Sequence, residues 1–387
     1  MKILFPYLAR WRSANRSRYH QLLTHLCRMG HEVHVLKAPP MALDDISARD
    51  VDSARVREES GLHLTELHAP AFLRHLWNTP IPKSKALKKG LLSLSSIDEI
   101  RRFVDREKID VLLLYNLPQA VLLDRVACHR HFDLADDLVE MLGLEHSLLS
   151  RLGGRAAGRA AQNRLLQRAD TVSVASSVLA EQIERRNLLL PNGADIAELD
   201  LADGSKWRAR SPGPTVGFVG AFEYWVDFDL VFEIATRLRH LTFLLVGGGR
   251  RWTAIRERVN RERLTNIYLT GPMPYEEAMD YVAGMDICLL PFTHDAVSDG
   301  SCPLKLFEYA ALRRPVVSTL TTEVHKIGSG WITFADDAAT TADAIESLLA
   351  DPKRSKEVAE AGREVVERHY NWEMLTKKFA EYLQGEM

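Results

Sequence analysis

Residues 289–309 read LLPFTHDAVSDGSCPLKLFEY, and this stretch indicates both how the chain folds and what it binds. The apolar run Leu289–Leu290 is typical of a buried strand that a variable loop connects to Pro303. Proline suits the first turn of a helix, because it lacks the N–H group that a helix start leaves unpaired. The remaining free N–H groups of that turn, with the positive end of the helix dipole, predict a diphosphate-binding site.

The helix predicted after Pro303 carries two charged side chains on one face. Lys305 and Glu308 are three residues apart, so they are neighbours on a helix surface. A lysine there can contact a phosphate, and the glutamate can accept hydrogen bonds from ribose hydroxyls. The alternative is an ion pair on the surface, and the two side chains alone do not decide between these interpretations.

Before and after this stretch, short apolar runs alternate with amphipathic segments along the chain. Strands are predicted at Lys2–Phe5, Glu32–Leu36, Val111–Tyr115, Thr215–Val219, Thr242–Val246, Ile267–Leu269, Ile287–Leu290 and Val316–Ser318, and a helix at Tyr19–Met29 that Gly30 ends in a left-handed conformation. This alternation predicts an α/β protein with parallel sheets and helices on both sheet faces. In such folds ligands bind beyond the carboxyl ends of the strands.

The length of 387 residues predicts two domains. Pro191-Asn192-Gly193 is a strong turn signal, after which the strand and helix alternation begins again. We therefore predict one Rossmann-like domain at 1–192 and a second at 193–369, doubly wound and facing each other across a cleft.

The composition excludes several classes of protein. Fifty basic and 52 acidic side chains leave almost no net charge, which argues against a nucleic-acid binder. No stretch approaches the roughly 18 apolar residues that cross a membrane, and the N-terminal apolar run is short and broken by Pro6, so a cytoplasmic protein is expected. The four cysteines lie far apart, with no CxxC spacing, which predicts reduced thiols and no zinc.

Two basic segments of the first half leave an alternative open. One contains Lys83, Lys85, Lys88 and Lys89 close to Trp77, and the other is an arginine stripe at residues 151, 155 and 159, continued at 164 and 168. Such stripes are usually solvated helix faces. They also suit anionic lipid headgroups or an acidic lipid-linked acceptor, which would place the protein peripherally at the inner face of the membrane.

Several segments together resemble the GT-B glycosyltransferases, in particular the bacterial polysaccharide branch with a PLKLxEY helix. In order they are PNGAD at 191–195, VGFVG at 216–220, LVGGG at 245–249, NIYLTG at 266–271, PLKLFEY at 303–309 and RPVVS at 314–318. The first half is similar in its opening residues, in GHEV at 30–33 and in RADTV at 168–172. The resemblance implies the GT-B fold, with an acceptor-binding first domain and a second domain that binds a nucleotide sugar. The ending Tyr370-Asn371-Trp372 also resembles that fold, which implies a C-terminal helix within 370–387 that packs back on the first domain.

The resemblance also implies roles for matching positions of the second half. Glu308 corresponds to the acidic residue that holds the nucleotide ribose. Gly220 lies where backbone approaches the donor phosphates, with a tight turn as its alternative explanation. The family packs the nucleobase at the segment that contains Gly271 and Met273. The phosphate-binding amides correspond to Gly300, Ser301 and Cys302.

The chain departs from the family pattern at two places. Many retaining members carry a glutamate where this chain has Gly300, so the stereochemical outcome stays open. Those members also have an arginine and a lysine after the first strand of the second domain, whereas residues 220–227 contain no basic side chain. Lys305 is the candidate replacement for the missing cation.

For the acceptor side, the run 132–137 is predicted to lie just past a strand and resembles an aspartate-rich loop of this branch. Asp136 or Asp137 is the candidate catalytic base, with helix N-capping as the alternative. The Asp227-Phe228-Asp229 pattern is better explained by capping than by a metal, so no metal ion and no cofactor besides the donor substrate are expected.

These features predict a glycosyltransferase that moves a hexose or related sugar from a nucleotide-diphosphate sugar to a glycan, a lipid-linked or a small-molecule acceptor. The expected setting is bacterial surface polysaccharide or glycoconjugate biosynthesis. A nucleotide-sugar epimerase of the same fold and a non-catalytic binding protein remain alternatives. A dinucleotide-dependent oxidoreductase is disfavoured, because Trp252 stands where the glycine fingerprint that begins at Gly247 requires its third glycine.

Overall fold

A computed structural model describes residues 1–9, 11, 16–39, 61–70, 73, 85–144, 154–211 and 213–387. Within these residues the strands form two separate parallel sheets. The first sheet ends at Leu189 and the second begins at Thr215, on either side of the turn at Pro191-Asn192-Gly193.

The first sheet has seven strands in the order β3-β2-β1-β4-β5-β6-β7. They are β1 (Lys2–Tyr7), β2 (Glu32–Lys37), β3 (Leu62–Glu66), β4 (Val111–Leu114), β5 (His129–Leu134), β6 (Thr171–Val174) and β7 (Leu188–Leu189). Its helices are α1 (Arg18–Arg28), α2 (Lys85–Ser95), α3 (Ile97–Glu107), a 3-10 helix (Leu117–Leu122), α4 (Leu138–Leu144), α5 (Arg155–Arg168) and α6 (Ser177–Glu181).

The second sheet has six strands in the order β10-β9-β8-β11-β12-β13. They are β8 (Thr215–Ala221), β9 (Thr242–Gly248), β10 (Ile267–Gly271), β11 (Ile287–Leu290), β12 (Val316–Ser318) and β13 (Ile332–Phe334). The helices are α7 (Ile196–Leu199), α8 (Ser205–Arg208), α9 (Phe228–Arg237), α10 (Trp252–Glu262), α11 (Tyr275–Gly284), α12 (Ala296–Asp299), α13 (Leu304–Ala311), α14 (Thr322–Gly328), α15 (Ala338–Ala350), α16 (Pro352–His369) and α17 (Trp372–Glu386).

Both strand orders reverse direction next to the first strand of their sheet, between β1 and β4 and between β8 and β11. This is the doubly wound arrangement, and its ligands bind at the carboxyl ends of the strands beside the reversal. The prediction of two Rossmann-like α/β domains is confirmed. The loops that follow β8, β11, β1 and β5 therefore position the candidate site.

The apolar runs predicted the central strands well, and Gly30 has the predicted left-handed conformation with φ +85°. One placement was wrong: the run that begins at Phe132 was expected past a strand, but Phe132, Asp133 and Leu134 are the last residues of β5. Polar residues such as His131 interrupt its apolar pattern. A buried strand carries them because hydrogen bonds from neighbouring elements satisfy their side chains.

The C-terminal helix α17 packs on the first sheet rather than the second. Trp372 and Phe379 share a hydrophobic cluster with Phe5 and Leu22 of the first domain. The chain crosses between the domains twice, and the crossings lie side by side, because Ala194 N–H donates to the Tyr370 carbonyl at 2.8 Å. The two crossings therefore form one narrow hinge.

Candidate functional site

The lysine of the PLKLFEY helix lies against the carboxyl end of β8. Its Nζ is 5.1 Å from the ring centroid of Phe218 and 5.3 Å from that of Phe292. A Cβ atom on Gly220 would lie only 2.8 Å from the Lys305 Cε, and Gly220 has a positive φ of +144°. Glycine at 220 thus lets the lysine approach the backbone closely. Burial lowers the pKa of Lys305 to about 8, although the charge of Glu308 opposes that shift.

Glu308 is one helical turn further along α13 and is only 7% exposed. Its carboxylate accepts a hydrogen bond from the hydroxyl of Tyr275. Burial raises the pKa of Glu308 to about 7, and the hydrogen bond from Tyr275 and the charge of Lys305 only partly oppose this. When it is ionised, a carboxyl group in these surroundings can accept hydrogen bonds from ribose hydroxyls. Burial away from water makes that charged form less stable.

Tyr275 was not predicted from the sequence. It begins α11 directly after Gly271-Pro272-Met273-Pro274, the segment predicted to pack the nucleobase, and that position was the available signal. Gly271 has φ +80°, and Met273 lines a groove of about 440 Å³ together with Trp207 and Tyr268. The contact between Tyr275 and Glu308 brings this segment next to the predicted ribose site.

The three predicted phosphate-binding amides differ in whether their N–H groups already have partners. The N–H groups of Gly300 and Ser301 donate to the carbonyls of Ala296 and Ser298, at 3.2 Å each, and these bonds complete the turn after α12. The first turn of α13 leaves the N–H groups of Leu304 and Lys305 without intrahelical partners. Phosphate donors in this conformation are therefore expected at 304 and 305, and at Cys302, whose N–H donates to no described carbonyl.

A cation also lies beside the loop 220–227, which has no basic residue of its own. Arg250, in the loop after β9, places its Nε 3.5 Å from a carboxylate oxygen of Glu223. Its guanidinium lies 5.9 Å from the ring centroid of Tyr224. Sequence reasoning missed Arg250, because it belongs to the neighbouring strand–helix loop and not to the segment that resembles the family motif.

The two candidate catalytic aspartates have different environments. Asp137 accepts a hydrogen bond from the Glu140 N–H at 2.9 Å, so it caps α4, as the alternative interpretation proposed. No described residue donates a hydrogen bond to the carboxylate of Asp136, which lies near Tyr19, Arg18 and Cys302. Burial, followed by the charges of Asp133 and Asp137, raises the pKa of Asp136 although Arg18 opposes this.

The domains contact each other on both sides of the hinge. Arg16 of the first domain places Nε 3.1 Å from Glu198 and Nη2 3.5 Å from Glu276. On the other side, Glu323 of α14 accepts a hydrogen bond from the Ser177 hydroxyl at 2.7 Å and from the Ser177 N–H at 3.0 Å. Ion pairs and hydrogen bonds thus join the two domains on both sides of the hinge.

The titration of this site yields a testable pH dependence. The pKa of Glu308 is raised to about 7, so at lower pH the protonated carboxyl would offer the predicted ribose weaker, uncharged hydrogen bonds. The pKa of Lys305 is lowered to about 8, so at higher pH the lysine loses its charge. We expect affinity for a nucleoside diphosphate to be greatest between these values when isothermal titration calorimetry is repeated across pH.

Lys305→Ala tests the alkaline decline in affinity separately from the acid decline. The variant should bind more weakly at neutral pH and lose the alkaline decline while it keeps the acid decline. Titration of the nucleotide's own phosphate affects both proteins alike and so cancels in the comparison. Unchanged affinity in Lys305→Ala would refute the role of this lysine.

Comparison with known proteins covers both domains. Residues 16–193 match the family model described as a glycosyl transferase 4-like domain, and residues 213–351 match the model of glycosyl transferases group 1. Among the described residues no group of three or more His, Cys, Asp or Glu side chains could hold a metal ion. Every described helix is too short or too polar to cross a bilayer.

One curated relative is TuaH of Bacillus subtilis (strain 168), named as a teichuronic acid biosynthesis glycosyltransferase. It is 25% identical over 268 residues, which is 65% of this chain and 66%, just under two thirds, of the relative's length. Among solved structures, sucrose-phosphate synthase from Thermosynechococcus elongatus has a TM-score of 0.75 at 15% identity and covers 99% of this chain and 98% of its own. HepE of Anabaena, solved with UDP and glucose, has a TM-score of 0.71 at 15% identity and covers 99% of both chains.

Proposed function

Its two domains make this chain a GT-B glycosyltransferase, and from that premise we propose that it transfers a sugar from a nucleoside diphosphate to an acceptor hydroxyl. One observation carries the proposal: a single turn of α13 presents both Lys305 and Glu308, under Gly220 and beside Tyr275. The lysine and the free amides of α13 suit the diphosphate, and the glutamate suits the ribose.

In this proposal Asp136 is the group that receives the proton of the acceptor hydroxyl. The pKa of Asp136 is raised toward neutral pH, and a carboxylate with such a pKa is a more effective general base. It lies near Cys302, so the proton would be removed next to the donor phosphates. Lys305 supplies positive charge to the leaving diphosphate, which is why we propose a reaction that needs no metal ion or other cofactor.

The sugar is proposed to be a hexose carried on UDP, and the acceptor a glycan or lipid-linked intermediate of a bacterial surface polysaccharide. Support for the pathway comes from the name of TuaH, and support for UDP comes from the HepE complex.

A thermal-shift screen against UDP, GDP and dTDP sugars tests the proposal. A ligand at 100 times its dissociation constant should stabilise the protein by about 2.7 kcal/mol. The best donor is then incubated with and without candidate acceptors and with EDTA. Transfer that survives EDTA supports the proposal, and conversion of the donor sugar without an acceptor would instead indicate an epimerase. Absence of stabilisation by every donor would contradict nucleotide-sugar binding.

We also propose peripheral contact with anionic lipid through α2 of the first domain. This helix exposes Leu87 and Leu94, seven residues apart, on a segment that also carries Lys88 and Lys89. The arginines of α5 are partly neutralised: Arg155 and Arg159 pair with Glu140, and Arg164 and Arg168 pair with Asp124. The predicted residues Trp77, Lys83 and Arg151 lie outside the described residues.

Sedimentation with phosphatidylglycerol vesicles checks this contact. We expect the double variant Leu87→Ser, Leu94→Ser to lose most binding, because apolar side chains and nearby positive charge act together at a lipid surface. Leu201→Ser is the matched control, since Leu201 is an exposed leucine of the second domain. Equal sedimentation of the wild type and the double variant would contradict the contact.

A further inference from the structure

We propose that Asn192 is a positioning residue that holds the start of α13 in register with the acceptor domain, through the carbonyl of Cys302. The inference deepens the proposed function and rests on it, because it concerns how the diphosphate-binding turn is held. Asn192 lies at the first crossing between the domains and is 8% exposed. No contact with the donor itself is required of it.

Asn192 makes three hydrogen bonds, and two of them reach Cys302. Its side-chain Nδ2 donates to the Cys302 carbonyl at 2.5 Å, and its backbone N–H donates to Cys302 Sγ at 3.4 Å. The Cys302 carbonyl belongs to the peptide that joins Cys302 to Pro303, where α13 begins. Fixing that peptide therefore orients the free N–H groups of Leu304 and Lys305.

The third hydrogen bond ties Asn192 to the first domain. Its Oδ1 accepts from Arg18 Nη1 at 3.1 Å. Arg18 also donates to both carboxylate oxygens of Asp133, at 2.8 and 2.9 Å, and to the carbonyls of Leu190 and Pro191, at 2.8 and 3.2 Å. All five N–H groups of the guanidinium are thus used. A planar guanidinium whose N–H groups all donate hydrogen bonds fixes the relative positions of the oxygen atoms that accept them.

The anchor of this network is buried in the first sheet. Arg18 is 4% exposed and Asp133 is fully buried at the end of β5. Burial alone would raise the pKa of Asp133, but the charge and hydrogen bonds of Arg18 and a bond from Ser173 hold it below its usual value. Asp133 therefore stays ionised, and the pair is retained at neutral pH.

The two crossings between the domains pack closely beside Asn192. A Cβ atom on its neighbour Gly193 would lie 2.3 Å from the Tyr370 carbonyl oxygen, so the two crossings are in direct contact. Hydrogen bonds thus run without a break from Asp133 through Arg18 and Asn192 to Cys302. They connect β5, whose following loop carries Asp136, with the turn proposed to bind phosphate.

If this network positions the start of α13, substitution of Asn192 should weaken diphosphate binding and leave nucleoside binding nearly unchanged. Asn192→Asp keeps an oxygen for Arg18 but replaces the amide donor to Cys302 with a second acceptor. Asn192→Ala removes both side-chain bonds. We expect both variants to bind the preferred nucleoside diphosphate about tenfold more weakly. Affinity for the corresponding nucleoside should stay within twofold, because Tyr275 and Glu308 are not touched.

The experiment uses the full chain. Calorimetry measures its affinity for UDP, GDP and dTDP, and ligand-observed NMR measures its affinity for the matching nucleoside. Asn187→Ala is the matched control, since the Asn187 amide also donates to a backbone carbonyl, at 3.1 Å, but within the first domain. The control should keep the wild-type ratio of diphosphate to nucleoside affinity.

Three results are distinguishable. A wild type that binds none of the three diphosphates overturns the proposed function itself. A wild type that binds, with unchanged affinities for both diphosphate and nucleoside in both Asn192 variants, overturns the inference alone. Equal loss of diphosphate and nucleoside affinity also overturns it, because that pattern indicates general damage to the second domain.

Discussion

Asp136→Asn is expected to lower kcat about 10²- to 10⁴-fold, the usual range for removal of a general base. The substitution keeps the size of the side chain and removes its ability to accept a proton. Donor KM should change little, because Asp136 belongs to the first domain while Glu308 and Lys305 belong to the second. Steady-state kinetics with the donor and acceptor identified by screening measure both parameters.

Asp137→Asn supplies a control one residue away. Asparagine caps helices about as well as aspartate, so the hydrogen bond to the Glu140 N–H and the start of α4 should survive. We therefore expect wild-type stability and nearly full turnover in this variant. If Asp136→Asn and Asp137→Asn both retain full turnover, the catalytic assignment of this loop fails.

Glu308→Gln is expected to weaken nucleoside diphosphate binding about 10- to 100-fold. Hydrogen bonds to a charged group are worth about 1.5–3 kcal/mol each, and glutamine offers the ribose diol one neutral oxygen in place of a carboxylate. Tyr275 would then donate to a neutral amide, which also weakens its hold on the side chain. Calorimetry at pH 8 shows the largest difference, because Glu308 is ionised there.

Glu360→Gln is the matched control for this substitution. Glu360 lies on α16, where it is half exposed and pairs at 3.2 Å with Arg313, just past the C-terminal end of α13. An exposed pair of this kind contributes little, so binding and stability should match the wild type. Nucleotide affinity in Glu308→Gln within twofold of the wild type would contradict the assignment of Glu308 to the ribose.

Much of the architecture was predictable because its signals are local. Buried parallel strands such as β8, β9 and β11 are continuous apolar runs, and a run of that kind predicts a strand wherever it occurs. The edge strand β3 lacked this signal, since most of its residues are exposed. The helix that carries Lys305 and Glu308 was likewise evident from Pro303 and from helical spacing.

The site was only partly predictable for the same reason. Gly300 and Ser301 were assigned as phosphate donors from the motif, but the motif does not record that their N–H groups complete the turn after α12. Asp136 and Asp137 were equivalent in the sequence. Only the start of α4 separates them, because its Glu140 N–H donates to Asp137, whereas no described residue donates to the carboxylate of Asp136.

By itself, the sequence determined that this chain has two doubly wound domains and a charged helix start suited to a diphosphate, since strand runs, turns and helix spacing are encoded among near neighbours. Only the tertiary structure decided which distant side chains meet. Arg18 reaches Asp133 across 115 residues, and Asn192 reaches Cys302 across 110. Such pairs form because buried polar groups must find partners once the sheets exclude water, and no local pattern specifies which partner that will be.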